Sequence, residues 1–338
     1  MKNREPRTEN QAPTESGILL KGEQGEPVLL GGNEGFLPLI VITGPTASGK
    51  TARAVALARA TGGEIISADS RQLYRGMDLG TGKDLDEYGD VPNNLIDICP
   101  AGYKYNLYEY LRDFATVLAD IRSRGRQPIV CGGTGMYVES VLKGIQLPPV
   151  PENPALRAAL HGKPLDELAA LLATMKTLRN NSDIDTPARA IRAIEIATYY
   201  HEHPHLKALT EPHPMTDAVV VGVMIDRDTR RQRISKRLDA RLQAGIVDEV
   251  RRLLDSGIAA EDLIYYGLEY KFITRHVIGE LTYEEMHDGL ETAIHQFAKR
   301  QMTWFRGMER RGTPIHWLPW DLPEPDFTTA VLQLAKAR

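Results

Sequence analysis

The residues Gly44-Pro45-Thr46-Ala47-Ser48-Gly49-Lys50-Thr51 fit the pattern G-x-x-x-x-G-K-[ST], and these are the types a loop needs to hold consecutive phosphates. Glycines let the backbone wrap with its N–H groups pointing inward, and a helix starting behind the loop adds the positive end of its dipole. In such a loop Lys50 reaches the terminal phosphate oxygens and the Thr51 hydroxyl holds a Mg²⁺. The apolar run Leu37 to Thr43 feeds the loop and the alanine-rich stretch Ala52 to Ala60 leaves it. That strand-loop-helix setting separates a phosphate loop from a tight turn that happens to carry lysine. The pattern leaves the ligand open between a nucleoside triphosphate such as ATP and another diphosphate.

Further residues could act on such a ligand. Gly63 to Ala68 reads as a short buried strand running into Asp69-Ser70-Arg71-Gln72. In a parallel sheet flanked by helices, ligands meet the carboxyl ends of strands, so Asp69 falls beside the phosphate loop. It is a candidate base there, or a cap for Ser70 to Tyr74. The glycine-rich run Tyr74 to Asp84 reads as a ligand-facing loop. Pro128 to Cys131 leads into Gly132-Gly133-Thr134-Gly135-Met136-Tyr137, where Thr134 and its neighbouring N–H groups could donate to a ligand oxygen. A glycine turn set by packing is the alternative. Arg189 and Arg192 stand three apart on a helix capped by Thr186 and opened by Pro187, and Arg233 and Arg237 stand four apart within Asp228 to Leu242. Both spacings suit a phosphate or an RNA backbone, although such pairs also occur as solvated charge. Between Thr292 and Arg311, the basic residues Lys299, Arg300, Arg306, Arg310 and Arg311 interleave with Phe297, Trp304 and Phe305, as in a packed helix with a charged outer face or a nucleic-acid contact.

The elements that must position these residues alternate as in an α/β fold. Asn94 to Ile98 reads as a strand, Asn106 to Arg124 as a helix stopped by Gly125, and Ala218 to Ile225 as a buried strand. The alternation breaks after about Lys143. Pro148-Pro149-Val150-Pro151 marks a boundary, and Ala155 to Tyr200 is helical by pattern, with Leu165, Leu168, Leu171 and Leu172 on one face. Expected divisions are a tail over 1–35, core over 36–147, a helical insertion over 148–212, core again over 213–320, and a tail or helix over 321–338. Residues 1–35 are polar and glycine-rich, with an edge strand at Val28 to Leu30 as the alternative to a mobile tail. A net charge of −4 on 338 residues argues neither for nor against nucleic acid, because location decides. Cys99 and Cys131 show no metal-ligand spacing and read as buried strand-end thiols of a reducing compartment. With no run near the roughly 18 apolar residues of a membrane span and no signal-peptide order, the expected location is cytoplasmic.

Together these stretches resemble the tRNA dimethylallyltransferase (tRNA isopentenyltransferase) family. The resemblance rests on Gly44 to Thr51, Ile66 to Ser70, Tyr74 to Asp78, Leu95 to Asp97, Gly132 to Tyr137, Arg189 to Glu195, Arg233 to Arg237, Val247 to Val250, Ala298 to Gln301 and Trp304-Phe305, in family order over about residues 38 to 318. It implies a P-loop NTPase-like α/β core, a parallel sheet flanked by helices, with a mostly helical insertion domain. It also implies transfer of a dimethylallyl group from dimethylallyl diphosphate to N6 of adenosine 37, in tRNAs reading codons that begin with U. The phosphate loop would then hold the prenyl diphosphate rather than hydrolyse ATP. Lys50, Mg²⁺ at Thr51, and Arg237 or Arg233 would stabilise the diphosphate; Asp69 would take the amine proton and Thr134 would position the reacting groups. Contact with tRNA would fall to Asp69, Ser70, Arg71, Gln72, Ala188, Arg189, Ala190, Ile191, Arg192, Lys299 and Arg300, on a monomer. This chain departs from the family pattern at Gly267-Leu268-Glu269-Tyr270-Lys271, where members carry a Gly-Tyr-Lys/Arg-Glu type motif. It also has Gly80-Thr81-Gly82-Lys83-Asp84 for Gly-Thr-Ala-Lys-Pro, and Asn93-Asn94 for a common His-His. No C-x-x-C module follows, as in bacterial-type members. Rival readings are an adenylate isopentenyltransferase, a P-loop small-molecule kinase and a nonenzymatic RNA-binding module.

Overall fold

A computed structural model of the chain describes residues 37–178, 182–208, 210–215 and 217–337. The tail expected over 1–35, with its alternative strand, lies outside these residues. Strands are β1 (Leu39–Thr43), β2 (Glu64–Ser67), β3 (Tyr74–Arg75), β4 (Asn93–Asn94), β5 (Cys99–Pro100), β6 (Pro128–Gly132), β7 (Ala218–Met224) and β8 (His316–Pro319). Six of them form one parallel sheet in the order β4-β2-β6-β1-β7-β8, and β3 pairs with β5. The sequence of β1, Leu-Ile-Val-Ile-Thr, is buried throughout, which is why it reads as a continuous apolar run: a parallel strand is covered on both faces. Registry brings the carboxyl ends of three strands together. Thr43 of β1 stands opposite Gly132 of β6, and Ser67 of β2 opposite Cys131. The Thr43 hydroxyl seals this junction by donating to the Gly132 carbonyl (2.9 Å).

Helices α1 (Lys50–Thr61), α2 (Leu107–Ser123) and α3 (Gly135–Leu142) follow β1, β5 and β6. Asn106 and Glu109 close a capping box on α2, satisfying two otherwise orphaned N–H groups. A separate compact unit, Gln146–Glu211, holds α4 (Pro154–Leu160), α5 (Leu165–Met175), α6 (Pro187–Glu202) and α7 (Pro204–Ala208). Its core joins Leu160, Leu168 and Leu172 to Ala190, Ala193 and Ile194. The other unit, within Gly31–Ile145 and Pro212–Arg338, continues through α8 (Arg227–Gln243), α9 (Ile246–Asp255), α10 (Ala260–Tyr265), α11 (Leu268–Val277), α12 (Tyr283–Arg310) and α13 (Glu324–Lys336). Phe327 and Val331 of α13 enter the core beside Val55 and Leu57 of α1. No helix of the described residues is long and apolar enough to cross a membrane.

The strand expected over Asn94 to Ile98 is cut short. Only Asn93–Asn94 pairs with β2, because Leu95 (φ 60°) and Asp97 (φ 55°) adopt the left-handed region, which no strand accommodates. The turn is set by Lys83, whose buried ammonium draws in Asp97 together with Asp78 Oδ1 (2.6 Å) and the Tyr74 carbonyl (2.6 Å). A charge removed from water needs such partners. Cys99 and Cys131 are buried on short strands, as expected.

Candidate active site

The glycine loop leaves β1 at Gly44, where an added Cβ would meet Ser48 Oγ at 2.9 Å and the Val223 carbonyl at 3.1 Å. It reaches α1 through Ala47 (φ 62°) and Gly49 (φ 85°), both left-handed. The Ser48 hydroxyl is buried in the turn and has no hydrogen-bond partner, an unspent donor of the kind a phosphate oxygen would satisfy. Burial pushes the Lys50 ammonium below its ordinary pKa, against the opposing influence of Cys131 and Asp69. Lys50 therefore lies within electrostatic reach of the Asp69 carboxylate.

Asp69 and Thr134 come from neighbouring strand ends. Asp69 Oδ1 accepts the Arg71 N–H (3.0 Å), so the side chain does form the local cap that was one of its two readings, and Oδ2 is left for another proton. Thr134 Oγ1 accepts the Ser70 N–H (3.0 Å), and its own N–H bonds the Ala68 carbonyl (3.1 Å). These bonds tie the loop after β6 to the loop after β2. Gln72 faces the interior, buried, with its amide shared between the Ser67 hydroxyl (3.2 Å) and the Gly82 carbonyl (3.0 Å). Its side chain is structural, unlike that of Arg71, which reaches the Tyr265 carbonyl (3.4 Å).

On α8, Arg233, Arg237 and Arg241 repeat every four residues along one face. Arg237 donates to the Thr46 hydroxyl in the loop. Burial, then the Arg241 charge, lower its pKa to about 10, which still leaves it a cation at neutral pH. Arg233 lies behind the loop, over the Trp320 ring (3.9 Å) and 3.5 Å from the Ala47 carbonyl. Burial raises the Glu269 carboxyl above its usual range, although Arg241 and Arg237 oppose the rise. Basic and acidic groups thus share one crevice at the carboxyl edge of the sheet, the place where open α/β sheets bind ligands.

Two members of this site have no individual role in the sequence reading. Gln301 of α12 spans it, accepting the Thr46 N–H (2.8 Å) and donating to the Gly133 carbonyl (3.0 Å). Its signal was a polar side chain among Ala298, Met302 and Phe305 on a buried stripe. Arg241 continues the spacing of Arg233 and Arg237 by one more turn.

The remaining expected contacts divide by exposure. Lys299 and Arg300 project from α12 near the exposed Phe297 and Trp304. In the helical unit Ala188 and Arg189 are exposed, with Arg189 paired to Asp185 (2.6 Å). Ala190 is wholly buried, so its side chain is not free to meet RNA, and Ile191 is partly buried against the same core. Arg192 bonds Glu195 and the Val150 carbonyl (2.9 Å).

Among the described residues no three His, Cys, Asp or Glu side chains gather as metal ligands. The half-buried Thr51 hydroxyl in the first turn of α1 fits Mg²⁺ as one ligand, with substrate phosphate oxygens and water supplying the rest, the coordination this ion favours.

Comparison with known proteins agrees with this geometry. The family model described as IPP transferase matches residues 72–308, and that described as isopentenyl transferase matches residues 37–89. The chain is 57% identical to tRNA dimethylallyltransferase 2 of Bacteroides fragilis over 302 residues, 88% of this chain and 98% of that protein. It is also 57% identical to tRNA dimethylallyltransferase 1 of Porphyromonas gingivalis, over 88% of this chain and 99% of that one. The crystal structure of the tRNA isopentenylpyrophosphate transferase of Bacillus halodurans superposes with a TM-score of 0.65 at 29% identity, covering 89% of this chain and 97% of that one. On these matches the chain belongs to the IPP transferase family, that of the tRNA dimethylallyltransferases.

Proposed function

We propose that this chain transfers a dimethylallyl group from dimethylallyl diphosphate to the exocyclic N6 of adenosine 37, in tRNAs reading codons that begin with U, and releases diphosphate. The observation that carries the reading is the meeting of a phosphate loop, Lys50 and Arg237 with the carboxylate of Asp69 at one sheet edge, in a chain whose relatives are named tRNA dimethylallyltransferases.

In this reaction the allylic C–O bond breaks and its electron pair stays on the diphosphate oxygen. Lys50 and Arg237 face that growing charge, and the loop N–H groups hold the rest of the diphosphate. Arg233, braced on Trp320, supports the loop from behind. The N6 lone pair forms the new C–N bond and the amine proton passes to Asp69, whose Oδ1 is steadied by the Arg71 N–H. Thr134 keeps the Asp69 segment at a fixed distance from the loop after β6, which Gln301 in turn ties to the glycine loop. Mg²⁺ at Thr51, when bound, would neutralise further diphosphate charge. Adenosine 37 must leave the anticodon-loop stack, at a cost of a few kcal/mol. Arg71, Arg189, Lys299 and Arg300 would grip the surrounding phosphates, with the protein acting as a cytoplasmic monomer.

The test is incubation of the protein with dimethylallyl diphosphate, Mg²⁺ and unmodified tRNA carrying A36-A37-A38, followed by nucleoside mass analysis. Isopentenyl-adenosine in the tRNA is the expected product, absent when EDTA is added. Prenylated AMP beside unmodified tRNA would identify an adenylate enzyme instead, and consumption of ATP a kinase.

A further inference from the structure

Residues 78–84 run beside the arginine face of α8, and one carboxylate that belongs to no part of the site described above holds their first half. Glu249 of α9, 4% exposed, accepts the N–H groups of Asp78 (3.0 Å) and Leu79 (2.9 Å) through Oε2, and that of Gly80 (3.2 Å) through Oε1. Oε1 also takes the Tyr270 hydroxyl (2.6 Å). Three consecutive N–H groups on one anion make charge-assisted bonds, among the stronger ones a protein forms. The Tyr270 ring closes over the turn so tightly that a Cβ on Gly80 would lie 2.5 Å from it.

The second half of the stretch is moulded to Arg241. Gly82 has φ 63°, and a Cβ there would stand 2.2 Å from the Arg241 guanidinium. Asp84, at φ 43°, pairs with that guanidinium (3.1 Å); a proline could not take this backbone angle. Arg241 is one turn of α8 from Arg237, and like charges so placed repel. With Arg241 held on Asp84, the Arg237 guanidinium is left on the side of Thr46 and the phosphate loop.

We propose that Glu249 is a positioning residue for the transfer reaction: through residues 78–84 it keeps Asp84 on Arg241 and so keeps Arg237 aimed at the diphosphate. It touches no substrate and acts through two other side chains. The inference rests on the reading of the glycine loop as a diphosphate site.

The full-length protein and its Glu249→Gln and Asp84→Asn variants would be titrated calorimetrically with inorganic pyrophosphate and Mg²⁺, with transfer kinetics and thermal melts run alongside. Glu249→Gln keeps the shape but turns one acceptor into a donor facing other donors. It should weaken pyrophosphate binding and lower kcat/KM for dimethylallyl diphosphate by about tenfold, the scale of a charge-assisted hydrogen bond, while KM for tRNA stays within about twofold. Asp84→Asn, at an exposed carboxylate, should act in the same direction by about threefold without lowering the melting temperature. The double variant should be no worse than Glu249→Gln, because both act through Arg241. Unchanged pyrophosphate binding in both variants, additive losses, or losses that only follow the melting temperature would overturn the proposal. A wild-type protein that binds pyrophosphate but never modifies tRNA would sink the proposed reaction instead, and the pyrophosphate arm would still decide the role of Glu249.

Discussion

In the proposed reaction Lys50, Arg237 and Asp69 would act at different moments, so their loss should look different in kinetics. The diphosphate is charged before and after the C–O bond breaks, so removing Lys50 or Arg237 takes away ground-state and transition-state binding together. In the proposed reaction Asp69 would meet only the proton that leaves N6. Asp69→Ala should therefore lower kcat by about 10²- to 10⁴-fold, with KM for dimethylallyl diphosphate within about threefold of wild type. A steady-state comparison decides the matter, and a rise in KM as large as the fall in kcat would move Asp69 into diphosphate binding. Lys50 carries a second consequence. Its pKa is lowered from 10.5 by burial, so between the folded value and 10.5 the unfolded chain binds more protons and stability rises with pH. Below that window the buried ammonium is a cost that Cys131, Asp69 and Glu87 only partly offset in the free protein. Lys50→Met should thus melt higher than wild type at neutral pH and lose the alkaline rise, while failing to bind pyrophosphate; a lower melting temperature would count against a strained, substrate-ready lysine.

Element by element, α6 divides its arginines between Arg192, bound into the fold, and Arg189, which is exposed. Glu195 is buried at its centre, bonded by Arg157 through Nε and Nη2 (3.0 and 2.9 Å), by the Asn153 N–H (2.6 Å) and by Arg192. Burial works to raise its carboxyl, but the bonds from Arg157, Asn153 and Arg192 prevail and hold it below the usual 4.5. A depressed carboxylate contributes stability that is complete above 4.5 and lost as pH falls through the lower folded value. Glu195→Gln should destabilise the protein by about 1–3 kcal/mol at pH 7 and flatten the acid limb, as urea melts at a series of pH values would read. Arg192→Ala should share that loss, whereas the exposed Arg189→Ala should leave stability within about 0.5 kcal/mol and weaken tRNA binding alone. The sequence made much of this level legible. Thr186 and Pro187 announced the start of α6, the 3.6-residue spacing of Leu107, Tyr110 and Phe114 announced α2, and the runs around β1, β6 and β7 could only be buried strands. Where pairing is long-range the signal vanished. Nothing local says that Lys83 turns Asp97 inward and ends β4, that Gln301 would join two loops from far along the chain, or that Ala190 sits inside its unit while Arg189 does not.

For the whole molecule the question is how a chain with net charge −4 would hold a polyanion. Much of its positive charge is already spent: Arg124 on Glu64, Arg311 on Glu139 and Arg157 on Glu195 serve the fold. Lys299 and Arg300 are exposed on α12 beside Phe297 and Trp304, a local basic and aromatic surface on an acidic protein. Phosphate contacts of that kind release counterions, so tRNA affinity should fall steeply with salt even though the net charges of protein and RNA repel. For single-stranded regions each neutralised phosphate contributes about 0.7 to the slope of log K against log salt. Lys299→Ala with Arg300→Ala should therefore weaken binding at low salt and reduce the slope by about 1–1.5. Arg189→Ala, in the other compact unit, should reduce it by about 0.7, and the three changes should add if the surfaces grip different phosphates of one tRNA. Filter-binding isotherms across a salt series measure all three. A slope unchanged by the α12 pair would remove that surface from RNA recognition and leave Arg71, Arg189 and the flipped base to account for it.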